Sequence, residues 1–176
     1  MADRRMTQGP QRHPAVSGKM SALLPLECTG VRMSTSLEAV VELCHAALGD
    51  LVRGNAEPWA DRLSSEPDVT LGNPFGPFVV GFDAVMAAAR RAADRYRDGE
   101  LIAFDRIATY EGADLACIAE VERFRARVGD SEELAPVSLR VTTLFRAEGN
   151  TWKVAHRHAD PITAPRTSDS VLGSGA

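Results

Sequence analysis

Cysteine is scarce in this chain of 176 residues, and what there is forms no framework. Cys28, Cys44 and Cys117 make an odd count with no C-x-x-C spacing, which excludes a disulfide scaffold and a zinc ribbon. No apolar run approaches the roughly 18 residues a membrane-spanning helix requires, so no membrane partner is expected. There is no basic excess either. The net charge is −4, and a long nucleic-acid footprint, which needs clustered positive charge, is not expected. Lysine is nearly absent: Lys19 and Lys153 stand against 18 arginines spread along the chain. Arginine at any one position is therefore a weak signal. What remains is 44% hydrophobic and 25% charged, the composition of an ordinary globular domain.

The ends differ from the middle. Residues 1–33 carry Arg4, Arg5, Arg12, Lys19 and Arg32 against Asp3 and Glu27, a charge of +3 that leaves −7 for the rest. With Pro10, Pro14 and Pro25 and no sustained period, this segment reads as a disordered N-terminal extension. Its apolar stretch Ser21-Ala22-Leu23-Leu24 ends at Pro25, too short for a secretory leader. Met33 stands just before the first helix signal, and a translation start there is one account of the extension. The domain is expected over 34–162, with 163–176, rich in Ser, Gly and Thr, as a flexible tail.

Thr35-Ser36-Leu37-Glu38 has the form of a capping box. Behind it Leu37, Val40, Val41, Leu43, Cys44, Ala47, Leu48 and Leu51 recur at helical spacing until Gly54. Asn55 and Pro58 mark a short second helix carrying Trp59 and Leu63. Asp68 to Leu71 reads as a brief strand running into the Pro/Gly loop Gly72-Asn73-Pro74-Phe75-Gly76-Pro77. A third, alanine-rich helix is expected over 82–97, closed by Asp98-Gly99.

After Gly99 the period changes from 3.6 to 2, and four long strands are expected near 100–110, 114–126, 137–148 and 151–160. Glu111-Gly112 and Gly149-Asn150 read as two-residue hairpin turns. The order predicts an α+β fold: three helices and a short strand, then an antiparallel meander whose apolar face the helices cover. A two-residue Gly149-Asn150 turn pairs Ala147 with Trp152, Phe145 with Val154, Thr143 with His156 and Val141 with His158. The Glu111-Gly112 turn likewise pairs Phe104 with Ala119 and Arg106 with Cys117.

By this parity His156, His158 and Asp160 point with Trp152 and Val154 towards the helices, and Arg106 does the same from its own strand. Arg140 and Arg157, with Glu120 and Glu122, fall on the opposite face, as a solvated ladder or a dimer surface. Covered polar groups must be hydrogen-bonded. Three readings stay open for His156, His158 and Asp160: a water-reached end of the sheet, a closed structural network, or the deep end of a pocket. In the last, a carboxylate beside an imidazole suits proton transfer. A metal site at His156-x-His158-x-Asp160 lacks a marked third or fourth ligand. Trp59 and Asn73 are further candidates for pocket contacts, against the plainer roles of core packing and turn formation.

The segment from Leu139 to Arg146, the Gly149-Asn150 turn and the segment from Trp152 to Asp160 resemble the closing hairpin of SnoaL-like domains in the nuclear transport factor 2-like superfamily. Asp114-Leu115-Ala116 and the Gly72 to Gly81 loop resemble its small bacterial members, and the likeness spans about residues 35–162. It implies a cone: a curved antiparallel sheet of one short and four long strands wrapped over three helices, an internal pocket, and a homodimer through the sheet's outer face. The superfamily holds isomerases, cyclases, epoxide hydrolases and dehydratases beside non-catalytic binding and assembly modules, so the site must decide. The first helix has no tyrosine, which departs from the ketosteroid isomerases, and no second aspartate is placed beside Arg106 for an epoxide hydrolase. The resulting expectation is a cytoplasmic homodimer binding a small hydrophobic carbonyl ligand without a cofactor. His158 and Asp160 would be catalytic, and His156, Trp59, Asn73 and Arg106 would contact the ligand. The alternative is a non-catalytic dimer of the same fold.

Overall fold

The computed structural model describes residues 35–172. The expectations for 1–33 lie outside the described residues. Helix α1 (Leu37–Leu51) opens on Ser36, whose Oγ accepts from the Ala39 N–H at 3.2 Å. Ser36 is thus the cap, and Glu38, instead of closing a box, reaches across to Arg106. The expected second helix is a single 3₁₀ turn, Glu57–Trp59, entered through the Asn55 side chain, which accepts from the Glu57 N–H. Strand β1 (Thr70–Gly72) and a short β2 (Val79–Val80), not anticipated, flank the Pro/Gly loop.

Helix α2 is shorter than expected, Phe82–Ala93. The chain turns at Asp94-Arg95, and β3 (Tyr96–Glu111) begins where the helical pattern still runs. Tyr96 is better placed in the sheet, paired with Val128, its ring edge-on to Phe124 at 5.4 Å and tilted against Phe75 at 5.3 Å. Asp98-Gly99 is a kink inside β3, with Asp98 at φ 53°, a conformation Asp tolerates. Strands β4 (Leu115–Val128), β5 (Ala135–Glu148) and β6 (Thr151–Asp160) complete the meander.

The six strands form one curved, unclosed sheet in the order β2-β1-β6-β5-β4-β3. Only β1 and β6 run parallel. One face packs on α1 and α2 around a core of Val41, Val85, Met86, Phe124 and Phe145. Along β4 the burial alternates strictly, placing Ala116, Ile118, Glu120, Glu122, Phe124 and Ala126 inward.

Two registers differ from the sequence reading, each because of an irregularity in a strand or turn. The β5–β6 hairpin closes on Gly149-Asn150 and pairs Ala147 with Trp152 and Phe145 with Val154, as expected. The register then slips at Ala155: Leu144 faces His156, Thr143 faces Arg157 and Thr142 faces His158. One extra residue in a bulge reverses the facing of everything beyond it. Arg157 and Ala159 therefore turn inward, and His156, His158 and Asp160 turn outward. The β3–β4 turn is longer than two residues: Glu111 pairs with Ala116, and the Gly112 N–H donates to the Leu115 carbonyl. With three register shifts along β3, Arg106 pairs with Glu120, not Cys117, and Phe104 pairs with Glu122. Bulges of this kind bend a sheet and increase its twist.

Candidate functional site

Between the helices and the sheet lies an apolar cavity of about 60 Å³. Leu48 and Leu51 of α1 form one wall. Trp59 of the 3₁₀ turn and Leu71 of β1 form another, and Val85 and Ala89 of α2 a third. Phe124 and Leu139 close the sheet side, and the loop Asn73-Pro74-Phe75 borders it. The ionisable side chains in this wall are Tyr96 and Arg157.

Arg157 is buried and bound at two points: Nη1 donates to Glu122 Oε1 at 2.8 Å and Nη2 to Oε2 at 2.7 Å. Its guanidinium lies 5.4 Å from the Trp59 ring centre, cation to π face. Burial works against the charge, but Glu122 outweighs it and the Arg157 pKa is raised. Burial also raises the Tyr96 phenol. Both lining groups are therefore protonated at neutral pH. They are donors, and the wall holds no general base.

Two of the lining residues carry a donor without a partner among the described residues. Trp59 Nε1 is sealed from solvent with no hydrogen-bond partner among the described residues. The Tyr96 hydroxyl has none among them either. Asn73 lines the cavity through a turn in which its Oδ1 accepts from the Phe75 N–H at 2.9 Å.

A second polar cluster sits between α1 and the β3–β4 pair. His45 Nε2 lies 3.0 Å from Glu120 Oε1, and Arg106 Nε donates to Glu120 Oε2 at 3.2 Å. The His45 ring stacks on Phe104 at 3.5 Å. Desolvation raises the Glu120 carboxyl, but His45 and Arg106 outweigh it and hold it below the ordinary range. Cys44, next to His45, is no nucleophile: burial pushes its thiol up to about 12.

Of the residues singled out in the sequence, Trp59 and Asn73 line the cavity. Arg106 points inward as expected but serves Glu120 and Glu38. His156, His158 and Asp160 do not line the cavity, because the Ala155 bulge turns them out. His156 Nδ1 bonds Thr70 Oγ1 at 2.8 Å, and both imidazoles flank the exposed Phe78 ring. His158 Nε2 stands 3.9 Å from Asp160 Oδ2. Asp160 instead takes Arg140 at 2.8 Å and the Ile162 N–H at 2.8 Å. These outweigh desolvation and hold its carboxyl low. The solvated-ladder expectation holds for Arg140 and fails for Arg157, Glu120 and Glu122, which are interior. Among the described residues no group of three or more His, Cys, Asp or Glu is arranged to hold a metal. None of the helices there is long and apolar enough to cross a membrane.

Sequence reasoning missed Tyr96, His45 and the Arg157–Glu122 pair. The one available signal was Val154-Ala155, two adjacent apolar residues where alternation breaks, after which Ala155, Arg157 and Ala159 share parity.

A curved, unclosed sheet over two helices with an apolar cavity between them defines the α+β class of this fold. Residues 40–164 match the SnoaL-like domain, and the chain belongs to that family. No curated protein matches the sequence. Among solved structures, a nuclear transport factor 2-like superfamily protein from Salmonella enterica aligns at TM-score 0.62 and 14% identity, over 79% of this chain and 96% of its own. A candidate dehydratase of the nuclear transport factor 2-like family from Streptomyces avermitilis aligns at 0.60 and 19%, over 72% and 96%. A ketosteroid isomerase-like protein from Erwinia carotovora atroseptica aligns at 0.57 and 16%, over 74% and 99%. At these identities the likeness is one of fold.

Proposed function

We propose that the protein binds a compact, hydrophobic carbonyl compound in the cavity between its helices and sheet, as a cytoplasmic homodimer and without a cofactor. The observation that carries this reading is the wall itself: apolar on nearly every side, with two protonated side chains and no base. A space of about 60 Å³ corresponds to roughly four water volumes. It favours a small ring or short branched chain over a steroid. The dimer is supported by the sheet's outer side, where Cys117, Ala119 and Val121 of β4 are half-buried, and by exposed Ile102 and Ile107 on the edge strand.

A catalytic reading of the isomerase, cyclase or dehydratase kind is favoured by one observation, the partly exposed His45 oriented by buried Glu120. It stands one helical turn before the cavity residue Leu48. In this reading His45, rather than His158, moves the proton.

The test is native mass spectrometry of protein from its own source, with unfolding to release what it holds. A stoichiometric neutral carbonyl compound at dimer mass is expected. A charged ligand would overturn the ligand class, and a monomer the dimer. Turnover of the released compound by wild type and not by His45→Ala would establish catalysis; unchanged turnover in the variant would remove His45.

A further inference from the structure

The cavity wall holds one permanent cation, Arg157, yet that cation is not free to receive an anion. Each Nη already donates to an oxygen of Glu122. The carboxylate of Glu120 lies on the same inner face, two residues along β4, and is itself bound to His45 and Arg106. Charge in this interior is thus balanced before any ligand enters. A carboxylate or phosphate entering would be desolvated beside Glu122 with no uncompensated partner, the costly arrangement for a buried ion.

The unused capacity is neutral. Tyr96 lines the cavity, is only 5% exposed, and makes no hydroxyl hydrogen bond among the described residues. Trp59 Nε1 is the sealed, unpartnered buried side-chain atom among those residues, and the Tyr96 oxygen is not sealed with it. Tyr96 is itself one of the residues that line the cavity. Packing fixes its direction, since Phe75 and Phe124 hold the ring from two sides.

We infer that the cavity selects neutral ligands carrying one hydrogen-bond acceptor over anions of the same shape, and that the Tyr96 hydroxyl is the group that reads the acceptor. This rests on the proposed binding role and adds to it the charge class of the ligand and the residue that sets it. A buried hydroxyl left unpaired is unfavourable. A ketone or aldehyde oxygen satisfies it without adding charge, whereas a pure hydrocarbon leaves it unpaired.

The experiment titrates the full chain by NMR with three probes of similar shape: cyclohexanone, methylenecyclohexane and cyclohexanecarboxylate. The expected order is ketone, then alkene, with the carboxylate weaker than the ketone by about 100-fold or more. Tyr96→Phe is expected to weaken the ketone by about 3- to 10-fold while leaving the alkene unchanged. The infrared carbonyl stretch of cyclohexanone bound to the wild type provides a readout that needs no variant. It is expected below its value in hydrocarbon solvent. Binding of the carboxylate as tight as the ketone, a ketone no tighter than the alkene, or an unshifted carbonyl stretch would overturn the inference and leave the pocket reading standing. Failure of both neutral probes to bind would overturn the two together.

Discussion

Glu122 and Arg157 meet as a two-point ion pair at 2.8 and 2.7 Å although a whole strand, β5, lies between theirs. Sheet curvature brings the two inner faces together, and the Ala155 bulge turns Arg157 to that side. The pair joins the sheet across its middle, and its Arg157 is the charged part of the cavity wall. Its geometry explains why an arginine here is no anion receptor.

The pair should be worth little in net stability and much when halved. Removing one partner strands a buried charge, so Arg157→Met or Glu122→Leu alone is expected to cost about 3–5 kcal/mol. The double variant Glu122→Leu/Arg157→Met should cost far less than the two singles together. Urea unfolding of the four proteins checks this. Near-additive losses would show that the two side chains act independently.

Element order, the helical face of α1 and the Gly149-Asn150 hairpin were legible in the sequence because each rests on local rules: periodicity, capping and turn chemistry. The candidate site was legible only in part. Trp59 and Asn73 were found because a rare aromatic and a Pro/Gly loop stand out locally. His156, His158 and Asp160 were misplaced because a bulge is a one-residue event with no strong residue signature, and parity counted from a turn carries past it unchanged. Tyr96 was missed for a different reason. An alanine-rich helical pattern runs up to it, and only its distant strand partner Val128 and its packing against Phe75 and Phe124 draw it into the sheet. Arg157 and Glu122 belong to one pair whose members are 35 positions apart, beyond any local rule.

His156 gives the fold a pH dependence of definite sign. Burial, and then the neighbouring His158, lower its pKa from the ordinary 6.5. Between the lowered value and 6.5 the unfolded chain binds more protons at this site than the folded one, so stability rises with pH across that window. The contribution is complete above about pH 6.5 and falls away as the solution is acidified below it. Wild type is therefore expected to lose more stability than His156→Gln between about pH 7.5 and about pH 5.5, where most carboxylates stay ionised. Urea midpoints at the two pH values measure it. Equal losses would mean that the imidazole is no more easily protonated in the unfolded chain.

Two glycines separate rigid from yielding contacts. A Cβ at Gly99 would stand 2.3 Å from the Val52 carbonyl oxygen and 2.4 Å from its Cγ2, in a residue with no exposed surface. The neighbour is backbone at the end of α1, and the Gly99 N–H donates to that same carbonyl at 3.1 Å. Nothing there can move without pulling β3 off the helix. A Cβ at Gly72 would come as close, 2.5 Å, but to the ring of Phe78, which is 59% exposed and free to swing outward. Gly99→Ala is thus expected to cost about 3 kcal/mol or more, and Gly72→Ala to stay within about 1 kcal/mol. The second variant should also change the surroundings of His156 and His158, since both rings lie against Phe78, and their NMR signals report it. Equal destabilisation by the two would mean that Phe78 is held as firmly as the backbone of α1, and the outer face would then be a packed layer instead of an open one.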